Sequence, residues 1–149
     1  MDLKLEVVVV PVSDIDRAMT FYSDKLSFSV DHDSQSTEDY RVIQLTSPAS
    51  ACSVVVQTGR PSAQVDAPPG SLQGLQLAVS DRRAARARFA DRHVDISEVQ
   101  VIEDGGFRPA RGDEALDYTG FCFFNDPDGN GWALQQMPAI PGPTDGSQR

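Results

Sequence analysis

The sequence predicts an α+β fold in which two βαβββ modules form an eight-stranded half-barrel cup with the helices on the outside. Three observations predict it. Strand and helix patterns follow the same order in both halves, a Pro/Gly-rich stretch "GRPSAQVDAPPGS" separates them, and an offset of 67 residues (79 minus 12) lays one half on the other. The offset pairs Val12-Ser13-Asp14 with Val79-Ser80-Asp81, Ala18 with Ala85, Tyr22 with Phe89 and Asp24 with Asp91. These matches keep their places relative to strand end and helix face, as a duplicated module would.

The first module spans 1–58. It opens with "LKLEVVVVPV", a β-branched run of the kind buried on both faces. Ser13 followed by Asp16 gives a capping-box-like start, and Ile15, Ala18, Met19, Tyr22 and Leu26 recur at helical spacing on one apolar face. The segments "SFSVDHD", "YRVIQLT" and "ACSVVVQTG" then read as strands between polar or Pro-containing turns. After a linker at 59–72, the second module (73–137) repeats the plan with "LQGLQLAVS", the helix "DRRAARARFADRH", and the strands "VDISEVQVI", "YTGFCFFN" and "GWALQQM". The stretch 103–118 is long enough to hide one more strand. Residues 138–149 are rich in Pro and Gly and lack periodicity, which predicts a disordered tail.

Composition narrows the function. At 149 residues, 40% hydrophobic and 23% charged, the chain can bury a substantial core. A formal net charge of -9 excludes nucleic acid as the expected partner, because a phosphate backbone would be repelled. No run approaches the apolar length of a membrane span, and the N-terminus runs directly into a strand without the pattern of a secretory leader. Cys52 and Cys122 each sit in a strand-like run, as small buried hydrophobes rather than a disulfide framework. The expected setting is therefore the reducing cytoplasm.

The segment "NDPDGNGWALQQ" poses a choice, because Asp126, Asp128 and Asn130 alternate before Gly131 as in the first half of an EF-hand loop. Such a loop needs a bidentate Glu at its twelfth position, and here that position is Met137. The flanks are strand-like, and Pro127, Gly129 and Gly131 supply turn geometry. The segment reads as a hairpin turn.

With that turn placed, "VPVSDIDRAMTFYSDKLSFSV" followed by "FNDPDGNGWALQQ" resembles the glyoxalase/bleomycin-resistance family, the vicinal oxygen chelate superfamily, over roughly residues 4 to 137. The resemblance implies paired modules and a ligand-binding cup. It also implies, for the enzymes, a divalent metal held by His, Glu or Gln on the first and last strand of each module. Those positions fall at Val7, about Val56, Leu75 and Ala133, all apolar, so no metal and no cofactor are expected. A one-residue slip would recruit Glu6, Gln57 or Gln76, but it would turn those side chains to the opposite sheet face. Of the two histidines, His93 ends the second helix, where its charge suits the helix dipole, and His32 lies in the polar end of a strand.

If those four side chains line the cup, alternation adds Leu5, Val9, Val54, Leu77 and Val79, with Thr58, Gln44 and Gln135 as polar handles. The lining suits a hydrophobic or aromatic molecule; alternatively these side chains simply fill the space. The connection 103–118 carries Phe107 for stacking, Arg108 and Arg111 for an anion or carbonyl, and Glu114, Asp117 and Tyr118 as candidate acids or bases. Two readings stand. One is a metal-free binding or drug-sequestering protein, a homodimer whose cups bury the ligand. The other is a metal-free enzyme of isomerase, cyclase or lyase type acting on a carbonyl-containing molecule through Glu114, Asp117 or Tyr118, one of them made basic by burial.

Overall fold

The computed structural model describes residues 1–59 and 67–138. The predicted tail beyond Pro138 and residues 60–66 of the linker lie outside the described residues. The first module runs β1 (Val7–Val9), α1 (Ile15–Thr20), β2 (Ser29–Thr37), β3 (Tyr40–Thr46) and β4 (Ser53–Thr58). The second runs β5 (Leu75–Val79), α2 (Arg82–Asp91), β6 (Gln100–Glu103), β7 (Gly106–Pro109), β8 (Gly120–Asn125) and β9 (Gly131–Gln136). Each module builds one open sheet, ordered β1-β4-β3-β2 and β5-β9-β8-β6-β7. In each, the first strand lies parallel to the last, which requires the helical crossover that α1 and α2 provide. The α+β class and paired βαβββ plan therefore hold.

The strand count differs from the expected eight. Strand β7 is the strand hidden in 103–118, and it joins β6 through Asp104-Gly105. Both turn residues have positive φ (53° and 78°), the two-residue hairpin geometry that Asp-Gly favours.

The duplication is visible in the helix starts. Asp14 caps α1 by accepting from the Arg17 amide at 3.1 Å, and Asp81 caps α2 by accepting from Ala84 at 3.0 Å. The cap is thus Asp14 rather than the Ser13/Asp16 pair expected. The helix ends also correspond, because Ser27 and His93 both turn left-handed with φ 62°. They are 66 apart (93 minus 27), whereas the starts are 67 apart. The extra residue of the first helix is absorbed in the wide turn Phe21–Lys25, where the Leu26 amide reaches Phe21 O at 3.3 Å.

Register assigns the faces. Ile43 lies opposite Val56, Leu45 opposite Val54, Cys122 opposite Leu134, and Phe124 opposite Trp132. All eight are buried in one core with Ala18, Phe21 and Tyr22 of the first helix, against which Ala85 and Phe89 of α2 also pack. The first helix serves both sheets, since Phe21 meets Phe124 and Tyr22 meets Trp132 across the module boundary. Both helix-covered faces are consumed in this shared core. The opposite face of each sheet lies outside it.

Arg82, at the start of α2, is fully buried. Its Nη1 donates to Cys122 Sγ at 3.2 Å, while among the described residues Nε and Nη2 have no partner. Burial pulls its pKa down and pushes the Cys122 thiol up.

Candidate functional site

The face opposite the helices carries Val7, Val9, Val42, Gln44, Ser53, Val55 and Gln57 on the first sheet. On the second it carries Gln76, Ala78, Gln100, Phe121, Phe123, Ala133 and Gln135. Of the side chains expected in the cup, Val7, Val9, Gln44, Ala133 and Gln135 are placed here. Val56, Leu75 and Leu77 are not, and neither are Val54 and Val79. Val56 pairs with Ile43, while Leu75 and Leu77 pair with Trp132 and Leu134, so all three belong to the helix-covered face. The physical reason is the two-residue repeat: β4 and β5 sit one residue away from the assumed register, which reverses every side chain. The same slip brings Gln57 and Gln76 onto the bare face, so its lining is richer in amides than expected.

The positions where a family metal would be gripped can now be read from adjacent strand pairs. Val7 lies beside Ser53 and Val9 beside Val55; Gln76 lies beside Ala133 and Ala78 beside Gln135. These eight residues offer one hydroxyl and two amides, with no imidazole, carboxylate or thiolate, a donor set that does not fit a first-row divalent metal. Among the described residues no group of three or more His, Cys, Asp or Glu is placed to hold a metal ion.

The bare face of the second sheet is aromatic. Phe121 and Phe123 stack with ring centres 6.2 Å apart and planes within 6°, and Phe107 sets its edge against both at 5.8 and 5.3 Å. Phe107 reaches them because β7 places it opposite Ile102 on the same face. Phe107 is 56% exposed and Phe123 38%. Beside them a hollow of about 280 Å³ is lined by Gln73, Gln76, Phe123, Asn125, Trp132 and Ala133. The cluster offers flat apolar surface for a ring, with amides at its margin. Sequence reasoning found Phe107 but not its partners, although the alternation in "GFCFFN" puts Phe121 and Phe123 on one side.

The strap from 110 to 119 is held down by charge and backbone. Glu114 binds Arg108 with both oxygens and accepts from the Arg111 amide at 2.9 Å. Glu103 also binds Arg108. The guanidinium and the amide hold the Glu114 carboxyl down to about 2, the reverse of the upward shift that burial would give a general base. Arg108 spends its charge on these two carboxylates rather than offering it to a ligand. Asp117 accepts from Gln136 Nε2 at 3.0 Å, and Gln135 Nε2 donates to the Tyr118 carbonyl at 3.0 Å. Tyr118 is exposed, with φ 64°. No hydrogen bond joins the side chains of Glu114, Asp117 and Tyr118, so the three candidate acids and bases do not form one constellation.

The "DPDGN" turn is a clamp between modules. Asp126 is 4% exposed and accepts four hydrogen bonds: from the Asp128 and Asn130 amides at 3.0 and 2.9 Å, from Asn130 Nδ2 at 2.7 Å and from the Tyr22 hydroxyl at 2.8 Å. Trp132 Nε1 donates to that hydroxyl at 2.9 Å. Asp128 accepts from the Ser13 amide at 3.1 Å and from Arg17 at 3.3 Å. Gly70 presses on the turn so closely that a Cβ there would lie 2.1 Å from the Asp128 carbonyl. The carboxylate that a calcium ion would need is committed to protein donors. The segment is a turn, as its spacing predicted.

No curated protein sequence matches the chain. Among solved structures, the chain is similar to TnmS3, an antibiotic binding protein from Streptomyces sp. CB03234, at 28% identity and TM-score 0.68, covering 91% of this chain and 97% of that one. A glyoxalase/bleomycin resistance protein from the same organism shares 28% identity at TM-score 0.65, covering 89% and 100%. A superfamily member from Sphaerobacter thermophilus DSM 20745 shares the fold at TM-score 0.69 and 24% identity, covering 91% and 98%. A family model matches residues 4–134, and with the paired modules, the parallel first and last strands and the open sheets it establishes that this chain belongs to the Glyoxalase/Bleomycin resistance protein/Dioxygenase superfamily.

Proposed function

We propose that this protein binds a small hydrophobic or aromatic molecule on its bare sheet faces without a metal, in the manner of a drug-sequestering protein. The observation that carries this reading is the cluster in which Phe107 and Phe123, both exposed, pack on the buried Phe121 and present aromatic surface to the outside. Its likeness to an antibiotic-binding protein at 28% identity supports the same class of ligand. The hydroxyl-and-amide donor set supports metal independence. The working form in this reading is a homodimer, because each sheet's helix side is already used in the shared core and a second copy's sheet would close the cup. Two free cysteines, one of them buried, suit a reducing cytoplasm.

The test is calorimetric titration with a panel of planar aromatic antibiotics, with and without EDTA, alongside light scattering for mass. Saturable binding that EDTA leaves unchanged, by a dimer, is the expected result. Affinity that vanishes on chelation and returns with a transition metal would end the metal-free reading; a monomer that binds as tightly would end the shared cup. The enzyme alternative draws no support from the strap, where Glu114 is ion-paired to Arg108 and unlinked to Asp117 or Tyr118.

A further inference from the structure

The duplication makes a comparison possible between the two module boundaries. On one side, Tyr22 meets the β8–β9 turn, and the space is filled by the hydrogen bonds among Tyr22, Asp126, Asn130 and Trp132. On the other, the equivalent of Tyr22 is Phe89, and the equivalent β3–β4 turn begins with Ser47-Pro48 and has no carboxylate to receive a hydroxyl. That space is open. It is a cavity of about 220 Å³ lined by Phe28, Leu77, Ala85 and Phe89, with Arg88 and Arg92 among the side chains around it. It belongs to the helix-covered side of the second sheet, away from the bare faces.

Arg88 lies in the last turn of α2 and Arg92 caps its C-terminal end; both line the hollow, where like charges repel unless an anion lies between them. Among the described residues neither forms an ion pair, and Arg92 only donates to the Ser27 hydroxyl. They are cations beside an apolar hollow, on a chain of formal net charge -9. A hollow of this size would hold roughly seven waters, enough for a body of one or two rings.

We propose that this cavity is a second ligand site, which takes an aromatic carboxylate with its ring against Leu77 and Phe89 and its carboxylate between Arg88 and Arg92. The site is independent of the bare-face reading, since the side chains that would hold the ligand, Leu77, Phe89, Arg88 and Arg92, contribute nothing to that surface. Guanidinium pairs suit carboxylate oxygens through charge-assisted hydrogen bonds, while burial of the ring supplies the rest of the affinity.

The experiment titrates the full chain with 2-naphthoate and with the neutral 2-naphthalenemethanol, followed by amide NMR shifts and calorimetry. Expected is saturable naphthoate binding that perturbs Leu77 and Phe89, with the alcohol about tenfold weaker. The double variant R88Q/R92Q should weaken naphthoate about tenfold and leave the alcohol unchanged, whereas F123A should leave naphthoate affinity intact. An absence of saturable binding, equal affinity for acid and alcohol, or shifts confined to the Phe107 and Phe123 face would overturn the proposal. Filling the hollow with A85L adds an independent check, because binding that survives it unchanged also places the ligand elsewhere.

Discussion

The Tyr22 hydroxyl donates to the Asp126 carboxylate at 2.8 Å, joining the helix of one module to the hairpin turn of the other. Both groups are buried, and the same hydroxyl accepts from Trp132 Nε1, so its removal would orphan the indole N–H and leave Asp126 Oδ2 with Asn130 Nδ2 alone. Tyr22→Phe should therefore cost about 1–3 kcal/mol, more than a neutral hydrogen bond normally contributes. Urea unfolding should show a lower midpoint with an unchanged m-value. A loss under half a kcal/mol would mean that solvent reaches the network. Burial and the Asp126 charge raise the pKa of this phenol above its ordinary 10.0, so the stability tied to it is complete below that pH and is lost as alkali ionises it.

The same carboxylate bears on calcium. Because four protein donors already occupy Asp126, millimolar calcium should leave the melting temperature unchanged. A calcium-dependent rise would show that the turn opens to bind the ion.

How much of this was legible in the sequence follows from what each signal encodes. The modules were legible because repetition and apolar period survive in one dimension, and the turn was legible because Asp, Asn and Gly act locally. The strand β7 left a readable sign in Asp104-Gly105, a strong hairpin dipeptide that the irregular run around it obscured. The facing of Val56, Leu75 and Leu77 was not legible, since runs such as "SVVVQT" are apolar at successive positions and alternation cannot choose a face. Here pairing decides it: the helix claims one face of β4 and β5, and Ile43 and Leu134 fix which one. The Tyr22 to Asp126 contact, 104 residues apart, has no local signature.

Arg82 presents the opposite case to Tyr22. A fully buried guanidinium that among the described residues has two unpartnered nitrogens and only a thiol as side-chain acceptor carries a desolvation penalty that one weak hydrogen bond does not offset. Arg82→Met keeps the apolar stem, so it should stabilise the fold by about 1–3 kcal/mol, seen as a higher melting temperature. A lower melting temperature would mean that the guanidinium has an anionic partner in solution.

The strap should respond to acid. Glu114 has its pKa lowered from 4.5 to about 2 by Arg108 and the Arg111 amide, so the pairing is fully present above pH 4.5 and is lost as pH falls toward 2. Amide signals of residues 111–118 should shift in that window, well before global unfolding. Glu114→Gln removes the titrating group, and its strap signals should then be flat over the same range. Persistence of the transition in that variant would assign it to another carboxylate.

The ring cluster separates binding from folding. Phe107 and Phe123 are exposed enough that truncating either gives up little core packing, yet each presents an aromatic face or edge that a bound ring would cover. Phe107→Ala and Phe123→Ala should each weaken an aromatic ligand of the bare face by about 1–2 kcal/mol, roughly five- to thirtyfold. Their melting temperatures should stay close to that of the parent chain. Phe121 is the control, because it is 7% exposed: Phe121→Ala should lower both affinity and stability. If Phe107→Ala and Phe123→Ala retain full affinity while Phe121→Ala loses it, the ligand does not rest on the exposed rings, and the effect of Phe121 comes from the sheet it supports.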